Sequence, residues 1–293
     1  MKRMLERKES SIYYVNASSV DIINTCPRKA EYALLRGMRK EDESEALVFG
    51  KAIHAALETL YRADPAKRSL SDMIAAFEAA GASLASVPEG EKRSISNGVK
   101  ILNRYFASYA SDPWVIYFDA NGPFVERSFE LPFKTHNKFT SWPWTTTDVF
   151  VHGQIDAVMQ NTDTGELVVV DHKTTSTVSD LINRVKPNLQ FSLYAWAANQ
   201  MGLKVSRVMV NGIQVAKTKS DFLRIFTDRG PDDFAELDLS ITHAIEQYDK
   251  FFASEAWPMN TSSCSNYGGC QYLGICQLDK SLKENAIRAQ YGG

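Results

Sequence analysis

Gly153-Gln154-Ile155-Asp156 and Leu167-Val168-Val169-Val170-Asp171-His172-Lys173 form the stretch from which the fold can be read. The second segment is an apolar run of the kind found in a strand buried on both faces, and it ends in two charged residues around a histidine. The first closes an alternating run on Asp156. Between the two, Asn161-Thr162-Asp163-Thr164-Gly165 has turn chemistry. A hairpin that pairs Gln160 with Leu167 puts its loop at Thr162 to Gly165. Asp156 then stands opposite Asp171 with both side chains on one face. Lys173, two residues on, shares that face.

Two carboxylates and an ammonium on one buried sheet face are costly unless a cation lies among them. A divalent ion that favours hard oxygen ligands, Mg²⁺ or Mn²⁺, meets that need and takes phosphate oxygens as further ligands. This is the chemistry of metal-assisted phosphodiester hydrolysis, with Lys173 orienting the nucleophile or offsetting transition-state charge. The competing reading is an ordinary hairpin with solvated carboxylates and an end-of-strand lysine.

Towards the N-terminus, Tyr13 to Ala17 reads as a short extended segment. Ser18 or Ser19 then caps a helix that runs to about Arg36, with Cys26-Pro27 as a kink or the start of a second helix. A helix beginning near Val48 carries Gly50, His54, Leu57 and Glu58, and its His54 and Glu58 are four residues apart and share a face. Residues 69–86 and 91–110 have the period of amphipathic helices, and 124–133 that of a strand. The loop from Lys134 to Trp144 mixes Lys134, His136 and Lys138 with Phe139, Trp142 and Trp144. Such a mixture either stacks on unpaired bases or folds back on the sheet as a hairpin tip. Towards the C-terminus, a helix within 179–200 brings Gln190 and Tyr194 onto one face. Strands at 207–215 and 222–227 make a second antiparallel pair, followed by a helix over about 231–254.

Of the 293 residues, 44% are hydrophobic and 23% charged, values of a soluble globular protein. A formal net charge of −2 excludes a chain that coats nucleic acid indiscriminately. DNA contact must then come from local basic groups: Arg28, Lys29, Arg36, Arg39 and Lys40, or Arg184 with Lys186. The charged N-terminus does not read as a signal peptide and no apolar run is long enough for a membrane span, so a cytoplasmic protein is expected. Four cysteines in a reducing compartment point to thiolate ligands rather than disulfides. Cys264, Cys270 and Cys276 follow C-x5-C-x5-C, and Cys26 stands alone near the other end. Zinc or an iron-sulfur cluster suits such ligands, and either would clasp the two chain ends together.

In order along the chain stand Ser18-Ser19, Cys26-Pro27, Gly50 with His54 to Glu58, Gly153-x-x-Asp156, Asp171-x-Lys173, Gln190-x-x-x-Tyr194 and the terminal cysteines. This ordered set resembles the PD-(D/E)XK nuclease superfamily, in particular its RecB-like branch with a C-terminal iron-sulfur cluster. One departure is the last motif, C-x2-C-x5-C in many relatives, where here both gaps are five residues. The resemblance implies an α/β fold, a central mixed β-sheet flanked by helices, in one nuclease domain over 1–293, with 261–278 and Cys26 forming an iron-sulfur clasp. It implies that His54, Asp156, Asp171 and the backbone carbonyl of His172 bind Mg²⁺ or Mn²⁺ and that Lys173 is the catalytic lysine. Glu58 would stand behind these ligands or serve a second metal, and Gln190 with Tyr194 would position the DNA strand or the lysine. Cys26, Cys264, Cys270 and Cys276 would bind [4Fe-4S], with zinc as the alternative occupant. The implied activity is a DNA exonuclease on single strands or duplex ends in phage or prokaryotic recombination, beside a recombination protein or helicase. The alternative is a catalytically idle nuclease fold that binds DNA or serves in assembly.

Overall fold

The computed structural model describes residues 12–39, 43–138, 145–218, 220–266 and 269–291; of 135–138 and 145–147 it describes the backbone alone. Strand β1 (Ile12–Val15) leads into helix α1 (Ala17–Thr25). The cap of α1 is Asn16, not Ser18 or Ser19 as expected. Its side chain accepts from the Ser19 amide at 2.9 Å, while Ser19 Oγ accepts from the Asn16 amide at 3.0 Å. The chain breaks at extended Cys26, and Pro27 opens α2 (Pro27–Ala30), which runs into a π turn at Glu31–Leu35. Ser44, Ser69 and Ser94 cap α3 (Glu45–Arg62), α4 (Leu70–Ala80) and α5 (Ile95–Ser108).

Short strands β2 (Trp114–Ile116), β3 (Phe118–Asp119) and β4 (Gly122–Pro123) precede the long β5 (Val125–Lys138) and β6 (Thr145–Asn161). Then come β7 (Leu167–Thr175), α6 (Ser179–Val185), α7 (Leu189–Gln200), β8 (Arg207–Gln214), β9 (Phe222–Asp228) and α8 (Pro231–Ser254). The short α9 (Leu273–Cys276) and α10 (Lys280–Tyr291) follow. Residues 134–138, expected in a loop, extend β5 instead. Lys134 donates to Asp238 at 2.6 Å and to Thr242, so it serves α8. Trp142 and Trp144 lie outside the described residues, as do Phe139 and the side chains of His136 and Lys138. Among the described residues no helix is long and apolar enough to cross a membrane.

The chain divides into two compact units, with β5, β6 and α8 passing from one to the other. The first comprises Glu43–Phe129 and Gly153–Phe234. Its strands run in the order β6-β7-β8-β9, with β2 beside β6. The β6–β7 and β8–β9 pairs are antiparallel, whereas β7 and β8 are parallel, because α6 and α7 carry the chain back between them. The sheet is therefore mixed. Met159, Val168, Val170 and Met209 form a core with Ile53 and Phe77 of the α3–α5 layer, and α7 packs against β7 from its other face. The second unit comprises Met1–Asp42, Glu130–His152 and Ala235–Gly293. Within it β1 runs parallel to the start of β6, Ile12 opposite Asp148.

Candidate active site

The β6–β7 hairpin pairs Gln160 with Leu167, the register read from the sequence, and continues to Ala157 with Val170. Its turn needs a left-handed residue, supplied by Gly165 at φ 74°, and Asn161 Oδ1 accepts from the amides of Asp163 and Thr164. Just past the last ladder pair, the Asp156 carboxylate intervenes. Its Oδ2 accepts from the His172 amide at 2.7 Å, so a side chain takes a backbone donor of β7. Asp171 is almost fully buried beside it. Lys173 Nζ donates to Asp171 Oδ1 at 3.0 Å. It also stands 2.9 Å from Oδ2, in ion-pair range but without the alignment of a hydrogen bond, which leaves Oδ2 buried with no donor.

Helix α3 delivers His54 to the same place. Its Nε2 donates to the His172 carbonyl at 2.9 Å, and its Nδ1 stands 3.6 Å from both Asp156 Oδ2 and Glu126 Oε1. Among the described residues, His54, Glu126 and Asp156 form the one trio of metal-ligating side chains whose ligand atoms all lie within 4.8 Å of one another. Sequence reasoning missed Glu126. It sits near the start of β5 at φ 46°, a left-handed bend rare for a residue with a side chain. Gln154 Nε2 holds its carbonyl at 3.1 Å and Arg62 holds that of Val125 at 3.0 Å. No periodicity distinguishes Glu126 from Glu130 in the same strand, because the bend that turns it to His54 is a tertiary feature.

Burial and like charge set the protonation of this cluster. Burial first, then the Asp171 charge, push the Asp156 carboxyl up to about 7, although His54 and the His172 amide work the other way. Burial also raises Asp171 above the ordinary carboxylate range, with Lys173 opposing it. For His54 burial disfavours the charged ring, but the close approach of the Glu126 carboxylate and the charges of Asp156, Glu126 and Asp171 outweigh it and raise the ring to about 9. His54 thus stands beside Lys173 as a cation that balances the buried carboxylates. Its neighbour His172 is driven the other way, well below the ordinary range, by burial and by the His54, Arg224 and Lys173 charges.

The lysine is held from α7. Gln190 Oε1 accepts from Lys173 Nζ at 3.1 Å, and Gln190 Nε2 donates to the Tyr194 hydroxyl at 2.8 Å. Burial, most of all, raises the Tyr194 phenol, so it stays protonated. Gly153 completes this chain: a Cβ there would come within 2.8 Å of Phe129 and 3.2 Å of Tyr194, whose rings meet edge to face at 6.1 Å. The spacings G-x-x-D and Q-x-x-x-Y therefore serve one assembly. Glu58 pairs with Arg62 at 2.7 Å and lines, with Gly50, His54, Glu126 and Lys173, a cleft of about 450 Å³. Of the basic residues expected to meet phosphate, Arg28 and Arg36 pair with Glu31, Arg36 also with Glu284, and Lys186 with Asp233.

All four cysteines fall in the second unit and none is in a disulfide. Cys26 Sγ accepts from the Asn260 amide at 3.4 Å, and the Cys264 thiol donates to the Asn260 carbonyl at 3.8 Å. Cys270 and Cys276 pack against Tyr32, Met38, Tyr272 and Ile275. Burial raises the Cys276 thiol, Arg28 opposes this, and Cys270 and Cys26 add to it.

A family model for the PD-(D/E)XK nuclease superfamily matches residues 14–277. Among solved structures, a candidate exonuclease from Eubacterium rectale superimposes with a TM-score of 0.51 at 14% identity, covering 86% of either chain. The protein SSO0001 gives a TM-score of 0.36 at 12% identity over 82% of this chain and 78% of its own. No curated protein matches the sequence.

Proposed function

The chain belongs to the PD-(D/E)XK nuclease superfamily, and we propose that it is a divalent-metal-dependent DNA exonuclease acting on single strands or duplex ends. The observation that carries this reading is the meeting of His54, Glu126, Asp156 and the His172 carbonyl beside a buried Asp171 with an oxygen lacking a donor. The carboxylates and the main-chain carbonyl are the hard oxygen donors that Mg²⁺ or Mn²⁺ takes, and the one imidazole among them is a borderline donor that suits Mn²⁺ better than Mg²⁺. Asp156, Asp171, His54 and the His172 carbonyl would hold the ion, with Glu126 as a further oxygen ligand. When bound, the ion supplies Lewis-acid polarisation of a phosphate oxygen and acidifies an attacking water. Lys173, fixed between Asp171 and Gln190, brings positive charge to where charge develops on the phosphate. Gln190 and Tyr194 orient that ammonium, and the cleft beside Gly50 admits the strand.

Cleavage of linear DNA in Mg²⁺, absent with EDTA, is the expected result. Mono- or short oligonucleotides should accumulate from one labelled end while circular single strands persist. Rapid cutting of the circles would make the enzyme an endonuclease, and no cutting of any DNA would leave the second reading, an idle binding protein. A role in recombination beside a helicase or recombination protein is part of the same proposal.

The cysteines are proposed to hold [4Fe-4S], with zinc as the alternative. In support, the four thiols gather in one unit built from both ends of the chain, and the N–H to Sγ contact at Cys26 is of the kind that tunes such clusters.

Proton linkage gives the metal proposal a sign. In protein stripped of divalent ions, Asp156 and His54 keep protons that the unfolded chain loses near pH 4 and 6.5. The stability each contributes is complete below those ordinary values and is lost as pH rises through about 7 for Asp156 and about 9 for His54. Metal must displace both protons, so affinity should rise up to about tenfold per pH unit for each proton released. Titration calorimetry with Mg²⁺ in buffers of different ionisation enthalpy should count close to two protons near pH 6 and about one near pH 8. Metal uptake without proton release at pH 7 would remove His54 and Asp156 from the ligand set.

A further inference from the structure

The residue between the two charged members of Asp171-His172-Lys173 is gripped on its other side by a buried polar chain. Asn211 of β8 lies directly across from His172 in the parallel β7–β8 ladder. Its amide nitrogen donates to His172 Nδ1 at 2.9 Å and to the Tyr105 hydroxyl at 2.7 Å. Tyr105 in turn shares a 2.7 Å hydrogen bond with Tyr61, whose ring stacks on the His172 imidazole at 5.7 Å and 12°. Tyr61 and His54 are two turns apart on α3. The main chain of His172 is thus fixed through its carbonyl by His54 and through its amide by Asp156, and its side chain by Asn211 and Tyr61.

Stability gives no reason for this arrangement. Asn211 and His172 are about as buried as the neighbouring Val208, Met209 and Val210, yet Asn211 Oδ1 and His172 Nε2 have no partner. Unpaired buried polar atoms are destabilising, and an apolar pair would avoid them. Polar groups kept at such a cost restrict a neighbour to one geometry. The neighbour here is the peptide that presents its carbonyl to the site.

We infer that Asn211 is a positioning residue, which orients the His172 carbonyl for the divalent ion by holding the His172 side chain within the Asn211–Tyr105–Tyr61 network. The inference rests on the metal-centre reading given above. Partners standing behind metal ligands typically change affinity by about 10–100-fold.

The test uses the full chain and reads Mn²⁺ binding without DNA, from the electron paramagnetic resonance signal of free Mn²⁺. Asn211→Leu should keep the melting temperature within a few degrees and weaken the Mn²⁺ Kd by about tenfold. Its kcat should return at high Mn²⁺, with the KM for DNA unchanged. If Asn211→Leu does not fold, Asn211→Ala, which adds no bulk, takes its place with the same expected result. An unchanged Kd in the folded variant overturns the inference while leaving the metal centre standing, as does a lower melting temperature with unaltered binding. Wild-type protein that takes up no Mn²⁺ overturns both.

Discussion

Asp171→Ala protein is expected to fold as the parent does, melt at the same temperature or higher, and lose DNA cleavage by more than about a hundredfold. On the proposed reading the activity loss exceeds what removing a partner behind a metal ligand costs, because a charged ligand itself would be gone. The stability expectation follows from burial: the carboxyl sits above its ordinary range, so its ionised form opposes folding at neutral pH. Lys173 keeps Gln190 as a partner at 3.1 Å after the substitution. Asp156→Ala should be as inactive but less stable than Asp171→Ala, since the His172 amide then loses its acceptor, at about 1–3 kcal/mol. Lys173→Ala should retain Mn²⁺ binding and lose about 10²–10³ in rate, because in the proposed mechanism the ammonium would serve the developing charge and not the ion. A wild-type rate for Asp171→Ala at saturating Mg²⁺ would sink the catalytic assignment.

Cys26→Ser should act in the opposite sense, with stability falling first and activity only as a consequence. If the proposed centre binds both, Cys26 and Cys264 would close a loop of more than two hundred residues, and the chain-entropy model assigns such closure on the order of 5 kcal/mol. For a protein of this size that corresponds to a fall of roughly 10 °C or more in melting temperature. Protein purified without oxygen should be brown and contain iron and sulfide in stoichiometric amounts. The Cys26→Ser variant should lose that colour, whereas Asp171→Ala should keep it. Stoichiometric zinc without sulfide would replace the cluster by a zinc clasp. A metal-free protein of unchanged stability would remove the centre altogether.

What the sequence determined by itself was whatever depends on local periodicity and turn chemistry. The apolar run before Asp171, the Asn161 to Gly165 turn and the period-two register settled the hairpin and placed Gln160 against Leu167. The four-residue spacing of Gln190 and Tyr194 announced a shared face, which the structure uses to hold Lys173. Pro27 marked an interruption, a kink or a helix start, because a ring without an N–H is poorly tolerated inside a helix, and the extended backbone at Cys26 made it a start. Tertiary structure alone decided the rest. Glu126 joins His54 because β5 bends to a positive φ at that residue, and a bend imposed by packing leaves no mark in residue type. Asn211 meets His172 because two strands far apart in sequence lie parallel, and parallel register depends on a crossover whose length does not specify it. Asn16 rather than Ser18 caps the first helix, since neighbouring side chains of similar capping ability are separated only by where the backbone turns. The protonation of the site belongs to the same class, because burial and like charge act through space and not along the chain.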